Sequence, residues 1–218
     1  YEFYKECNKV GLKPIIGMEA YYCIGDRTLK GQDDLGGSRP NYHMILLAQN
    51  IIGYKNLIKL SSQAYPTGFY YSPRIDNQLL EQHNEGLIAT SACLGSRLSR
   101  LIVKGMKEEA KKLLEYHSSL FKDRYFLELQ CHYDQDQITV NEVLQEFAKE
   151  LNLPMILTAD AHYMAYGDKA LHDKFLCIST NSKLSDPNRF NFGDLDCHLG
   201  SPEEMEANLV ASGHFILD

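Results

Sequence analysis

The sequence predicts an α/β domain, a parallel sheet or a barrel of parallel strands. Two observations carry that prediction. Apolar runs of strand length alternate with helix-length amphipathic stretches through short links. Several of those runs also end in polar, chelating or small residues, as strands do around the mouth of a barrel. With 218 residues and 44% hydrophobic content, the chain can bury the core of one sizeable α/β domain, or of one domain and a further piece.

In order, Glu2–Val10 reads as a helix stopped by Gly11. Lys13–Tyr22 reads as a strand entered through Pro14. Ile24–Asn41, rich in Gly, Asp and Arg, has no helical period and reads as a loop. Tyr42–Ala48 is a strand, and Gly53–Tyr65 is a helix with Leu57, Ile58 and Leu60 on its apolar side. Gly68–Arg74 is aromatic and irregular. The alternation then becomes regular. Helix Asp76–Gln82 leads to strand Gly86–Thr90, followed by helices Leu94–Val103 and Lys107–Phe121. Strand Tyr125–Gln130, helix Val140–Leu151, strand Met155–Thr158 and helix Asp168–Ile178 complete it. The last forty or so residues change character: Ser185–Arg189 is turn-rich, and Ser201-Pro202-Glu203-Glu204 is a capped helix start. No internal repeat or low-complexity segment occurs.

Composition excludes several classes. The net charge of −7 argues against a long track on a nucleic-acid backbone, though not against a small metal-loaded site that meets nucleic acid. Six scattered cysteines without a C-x-x-C pair predict a reducing compartment rather than a disulfide framework. No run approaches transmembrane length, so no membrane partner is expected. The chain starts without Met at Tyr1 and ends in apolar Phe215-Ile216-Leu217, which reads as an excerpt of a longer protein. No phosphate loop of the G-x-x-x-x-G-K-[ST] type and no G-x-S-x-G elbow is present.

The chemistry concentrates in Thr158-Ala159-Asp160-Ala161-His162-Tyr163, after the apolar Met155-Ile156-Leu157. On an extended segment, residues i and i+2 point to one side, so Asp160 and His162 can hold one divalent ion. Alone, such a pair is a weak signal and more often marks an exposed turn with a capping Asp. Similar strand ends recur. Glu19 closes one, where the bland alternative is a salt bridge at a strand edge. Cys93 follows another and also suits plain burial. Glu128 and His132, four apart, fit orientation of other ligands as well as direct contact. His43, beside Tyr42 and an apolar run, taken alone reads more readily as a satisfied core histidine, and it opens its strand instead of closing it. If the 24–41 loop makes Tyr42–Ala48 antiparallel to Lys13–Tyr22, His43 and Glu19 face the same mouth. His83, His117, His172, His198 and His214 show no partner in the sequence and are read as solvated.

The segments Gly11–Tyr21, Tyr42–Ala48 and Gly53–Leu57 resemble the bacterial C-family replicative DNA polymerases. So do Ser91-Ala92-Cys93-Leu94, Phe126–Gln130, Thr158–Tyr163 and Asp186-Pro187-Asn188-Arg189, all in the family's order. The resembling region is the family's PHP (polymerase and histidinol phosphatase) domain. It implies a distorted (β/α)7 barrel over residues 1–180 that lacks its first strand or strands, with 181–218 leading toward the polymerase palm. It implies metal ligation by Glu19, His43, Cys93, Asp160 and His162, with Glu128 and His132 behind them. The ions would be Zn, Mn or Fe, with Mg also admitted. The family's opening His-x-His and Thr-Asp-His segments have no counterpart here. Where the family has a Gly-Glu pair after Ser-Gly-Cys-Leu, this chain has Ser96-Arg97, and an Arg97 beside the mouth fits either contact with a phosphate or a degenerate site. The resemblance further implies DNA and other replisome subunits as partners of the full-length polymerase, in the cytoplasm. Two roles follow from it: a metal-dependent 3′–5′ exonuclease with Asp160, His162 and Arg97 catalytic, or a metal-poor brace of the polymerase core that docks a proofreading partner. A free-standing small-phosphate esterase is disfavoured by Gly53–Tyr65 and Asp186–Arg189, which look polymerase-like.

Overall fold

The computed structural model describes residues 1–31, 33–37, 40–193 and 195–211. They form two compact units, Tyr1–Leu127 with Phe147–Pro154, and Glu128–Glu146 with Met155–Asp218. No helix among the described residues is long and apolar enough to cross a membrane.

The first unit opens with α1 (Glu2–Lys9), closed as expected by Gly11 at φ +74°. Strand β1 (Gly17–Tyr22) starts later than the sequence suggests, because Pro14 has no N–H to give a ladder. Strand β2 (Tyr42–Ala48) pairs with it antiparallel, Tyr21 opposite His43 and Tyr22 opposite Tyr42. Helix α2 (Ile51–Gly68) is longer at both ends than predicted. The Asn50 side chain caps it by accepting from the amides of Ile52 and Gly53, and Pro66 is tolerated near its end.

The stretch read as irregular is two short strands, β3 (Phe69–Tyr70) and β4 (Ser72–Ile75), turned at Tyr71 with φ +63°. Helix α3 (Asn77–His83) is capped by Asp76, and β5 (Leu87–Thr90) follows. Helix α4 begins at Arg97, not Leu94, because the Ser96 hydroxyl accepts from the Ser99 amide; it runs Arg97–Val103. Helix α5 (Lys107–Phe121) and strand β6 (Tyr125–Gln130) have their predicted bounds.

The strands lie in the order β3-β4-β1-β2-β5-β6. The sheet is mixed rather than parallel: β2 runs antiparallel to β1 and β5, whereas β1–β4 and β5–β6 are parallel pairs. The described residues of the 24–41 loop form no crossover helix, which frees β2 to reverse. Strand alternation then sorts the faces. Ala20, Tyr22, Tyr42, Met44 and Leu46 are buried, and α2 brings Leu57, Leu60 and Ala64 to the core as it packs on β2 and β4. Each large apolar side chain so buried contributes roughly 1.5–3 kcal/mol. Glu19, Tyr21 and His43 belong to the opposite, open face.

His117 corrects the sequence reading. It is not solvated but 3% exposed, with its ring against those of Tyr22, Tyr116 and Tyr125. Its Nε2 meets no hydrogen-bond partner among the described residues. Burial pulls its pKa from 6.5 to about 4. Because the folded value is the lower one, the unfolded chain takes up the proton first as pH falls. The stability held above pH 6.5 is therefore lost toward pH 4, by roughly 3 kcal/mol for a drop of this size. The melting temperature is expected to fall over that window, and to fall less steeply in His117→Gln. Parallel curves for the two proteins would remove His117 as the cause.

The second unit contains the end of β6, most of α6 (Gln135–Leu151), β7 (Met155–Thr158), α7 (Lys169–Ser179) and α8 (Pro202–Ala211). Helix α6 starts before the expected Val140, because Asp134 accepts from the amides of Asp136 and Gln137. Helix α8 starts as predicted: the Glu204 amide donates to Ser201 Oγ and the Ser201 amide to Glu204 Oε2.

Candidate metal centre

Three segments distant in sequence meet on the open face of the first unit. Tyr21 is the direct partner of His43, so both point the same way, and Glu19, two residues earlier on β1, joins them. Cys93 arrives from the turn after β5. There Ala92 adopts a left-handed φ of +56°, held by its amide donating to Thr90 Oγ1 at 3.2 Å. A non-glycine residue pays for that conformation, and such strain gathers where a side chain must be aimed.

The result is close. His43 Nδ1 lies 3.3 Å from Glu19 Oε1 and 3.4 Å from Cys93 Sγ. One ligand atom from each residue lies within 4.8 Å of the others. Ligands of one tetrahedral zinc ion stand roughly 3.3–3.8 Å apart, given bond lengths near 2.0–2.3 Å. A carboxylate, an imidazole and a thiol together suit a borderline divalent ion, so donor type and spacing both fit.

Gly95 makes the approach possible. Its carbonyl accepts the His43 amide at 3.1 Å, and its own amide points at Cys93 Sγ from 3.4 Å. A Cβ on Gly95 would sit 2.7 Å from His43 Nδ1. The sequence reading missed this glycine; the Cys-x-Gly spacing was its signal.

Arg97 is already engaged. It forms a two-pronged pair with Asp34 at 2.5 and 2.7 Å and donates to the Tyr42 hydroxyl at 2.8 Å. Its guanidinium and that of Arg100 both lie over the Tyr42 ring, and Tyr42 donates to the buried Asp33. Hydrogen bonding from Arg97 holds the Asp34 carboxyl at about 2. This network ties the 24–41 loop to α4. Nothing in the sequence reading had linked Asp33 or Asp34 to Arg97.

In the second unit, Asp160 and His162 stand together, Oδ1 to Nε2 at 3.6 Å. The segment is not extended there as the sequence reading assumes: Asp160 has φ +46°, so the chain turns at Asp160 itself. His162 is positioned by its amide donating to the Cys197 carbonyl at 2.7 Å and by its ring on Phe192, centroids 4.6 Å apart. Glu128 is buried and accepts from Thr158 Oγ1 at 2.6 Å, which fixes the end of β7. His132 is buried and kept below the usual histidine range by desolvation, which the charges of Asp160 and Asp196 oppose.

The other histidines are less solvated than expected. His83 pairs with Gln63 at 2.9 Å, and the His172 ring lies against those of His162 and Phe192. His198 Nδ1 is 3.0 Å from Asp196 Oδ1. Asp196-x-His198 repeats the spacing of Asp160-x-His162, a signal the sequence reading passed over. His214 lies outside the described residues.

Residues 1–132 match the PHP domain family. The chain is 46% identical over 204 residues to the DNA polymerase III subunit alpha of Borreliella burgdorferi, covering 94% of this chain and 18% of that protein. It is 42% identical over 204 residues to the subunit of the same name from Treponema pallidum, covering 93% and 17%. For the Thermus aquaticus subunit the identity is 41% over 210 residues, covering 95% and 17%. The chain thus spans about a sixth of the length of the curated relatives it matches.

Proposed function

Since this chain belongs to the PHP domain family, we propose that it is the PHP portion of a DNA polymerase III alpha subunit, a DNA-directed DNA polymerase of replication, and that it is a metal-dependent 3′–5′ exonuclease of that enzyme. The observation that carries the reading is the Glu19–His43–Cys93 triad, gathered from three distant segments with metal-ligand spacing. We assign Asp160 and His162 as further ligands and catalytic residues, and Glu128 and His132 as residues that orient them. The (β/α)7 barrel over 1–180, and 181–218 as the link to the palm, belong to the same proposal. So do a cytoplasmic location, and DNA and replisome subunits as partners.

Zn, Mn and Fe suit the mixed carboxylate, imidazole and thiol donors better than Mg does. When bound, such an ion polarises a phosphoryl oxygen and lowers the pKa of a bound water. The chain's own contribution is placement. Gly95 sets the distance between His43 and Cys93, and Glu128 anchors the end of β7 through Thr158. Arg97 can serve a phosphate only by exchanging Asp34 for it, a like-for-like swap of anions in a planar two-pronged site.

The test uses the full-length polymerase carrying this sequence. Stripping with a chelator and returning Mg alone is expected to restore nucleotide addition but not removal of a mispaired 3′ nucleotide. Mn, Zn or Fe should restore removal. If the untreated, metal-replete enzyme removes no nucleotide at all, the exonuclease reading fails and the brace of the polymerase core replaces it.

A further inference from the structure

Helix α7 carries Lys169, His172 and Asp173 on one stripe, because residues three and four apart on a helix are neighbours. That stripe lines a cavity of about 390 Å³ in the second unit, together with Arg189 and Phe192 from the segment after the helix. The volume falls among those of small-molecule sites, roughly 300–1,000 Å³. Neither Asp160 nor His162 lines it, so it is separate from the candidate metal ligands.

Among the described residues the wall carries two cations, Lys169 and Arg189, and one carboxylate, Asp173. That carboxylate is taken by Arg189, whose two Nη atoms donate to its two oxygens at 2.6 and 2.5 Å. Hydrogen bonding from Arg189 is also the main cause that holds the Asp173 carboxyl below its usual range. The Lys169 ammonium makes no ion pair and no hydrogen bond among the described residues. His172 is a second uncommitted group. Its ring lies against those of Tyr163 and Phe192, but its ring nitrogens have no hydrogen-bond partner among the described residues.

An uncompensated ammonium brings three donors, the imidazole adds one, and the outer N–H groups of a guanidinium already fixed in place add more. Donors on several sides suit the three terminal oxygens of a phosphate better than the two of a flat carboxylate. The cavity holds more than a phosphate alone, and Phe192 gives the remaining space an aromatic wall. We propose that this cavity binds a phosphate monoester, with the phosphate at Lys169 and His172 and the esterified group against Phe192. The inference is independent of the exonuclease reading.

The test needs neither metal nor turnover, and a chelator keeps any metal site from holding the anion. Binding to this chain is read from histidine ring resonances by NMR at fixed pH and ionic strength. The resonance of His172 is identified by its absence from His172→Gln. Thymidine 5′-monophosphate is expected to move it saturably with a Kd of about 1 mM or below. Inorganic phosphate should bind more weakly and compete, and thymidine should not bind. Lys169→Gln should weaken binding of the monophosphate about tenfold or more, because it removes a charge-assisted hydrogen bond. Lys169→Arg keeps the charge and should retain most of the affinity, and the melting temperatures of both variants check the fold. A His172 resonance unmoved by the monophosphate and by inorganic phosphate up to ~10 mM overturns the proposal. So does equal affinity in Lys169→Gln, or thymidine binding as tightly as its monophosphate. Inorganic phosphate binding more tightly than the monophosphate overturns the ester and assigns the cavity to the free anion.

Discussion

Asp160→Asn, in a full-length DNA polymerase III alpha subunit carrying this sequence, is expected to lower 3′-terminal hydrolysis about a hundredfold or more, while nucleotide addition changes by less than about twofold. The substitution removes a charge and keeps a shape. Asp160 occupies the left-handed region at φ +46°, where Asn is among the best-tolerated residues and Ala is strained. Asn therefore preserves the turn that follows β7 and the position of His162, whose amide stays bonded to the Cys197 carbonyl. What falls is the affinity for a cation and the activation of water. Primer extension, release of a mispaired 3′ nucleotide and the melting temperature are measured side by side. Unchanged hydrolysis by a metal-replete variant would end the exonuclease reading. A melting temperature several degrees lower, with polymerisation lost as well, would make the site a staple of the core. Asp160→Ala is the useful contrast, because it should add backbone strain to the loss of charge.

His43→Ala is expected to weaken divalent-ion binding at the triad of this chain about a hundredfold, since losses of 10–100-fold already follow from removing groups that merely orient a ligand. His43 Nδ1 is the central donor, 3.3 Å from Glu19 and 3.4 Å from Cys93, and its loss leaves two ligands of opposite hardness. Cobalt is the probe, because its thiolate charge-transfer absorption reports Cys93 directly. Gly95→Ala should act in the same direction by about tenfold, because the new Cβ would displace the imidazole without removing a donor. Equal cobalt affinity in His43→Ala and the parent chain would show that the triad is not the centre. Affinity should rise with pH, because the thiol must lose its proton to ligate.

Much of the fold was legible because periodicity and punctuation are local. Tyr42–Ala48, Lys107–Phe121, Tyr125–Gln130 and Met155–Thr158 have the bounds their apolar patterns predict. The misses fall where a side chain captures a backbone amide. Asn50, Ser96 and Asp134 each set a helix start that hydrophobic period alone placed elsewhere. Strands β3 and β4 were invisible for another reason: two and four residues are too few to show an alternation, and Pro73 argues against a strand unless it lies near an edge.

The candidate site divides the same way. The sequence by itself picked out the candidate donors, because Glu19, His43, Cys93, Asp160 and His162 have cation-binding side chains and recur at strand ends. It also determined that Glu19 and His43 would share a side if β2 reversed. That β2 does reverse depends on how the 24–41 loop is held, and its anchor, Arg97 on Asp34 and Tyr42, joins residues far apart in the chain. Only the tertiary structure decided that Arg97 is bound to an anion of its own protein, that Gly95 leaves room for an imidazole, and that His117 and the His132 nitrogen are sealed from water. Each is a matter of what lies within a few ångströms through space. Hydrogen bonds, steric fit and desolvation act over that range, and sequence separation does not encode it.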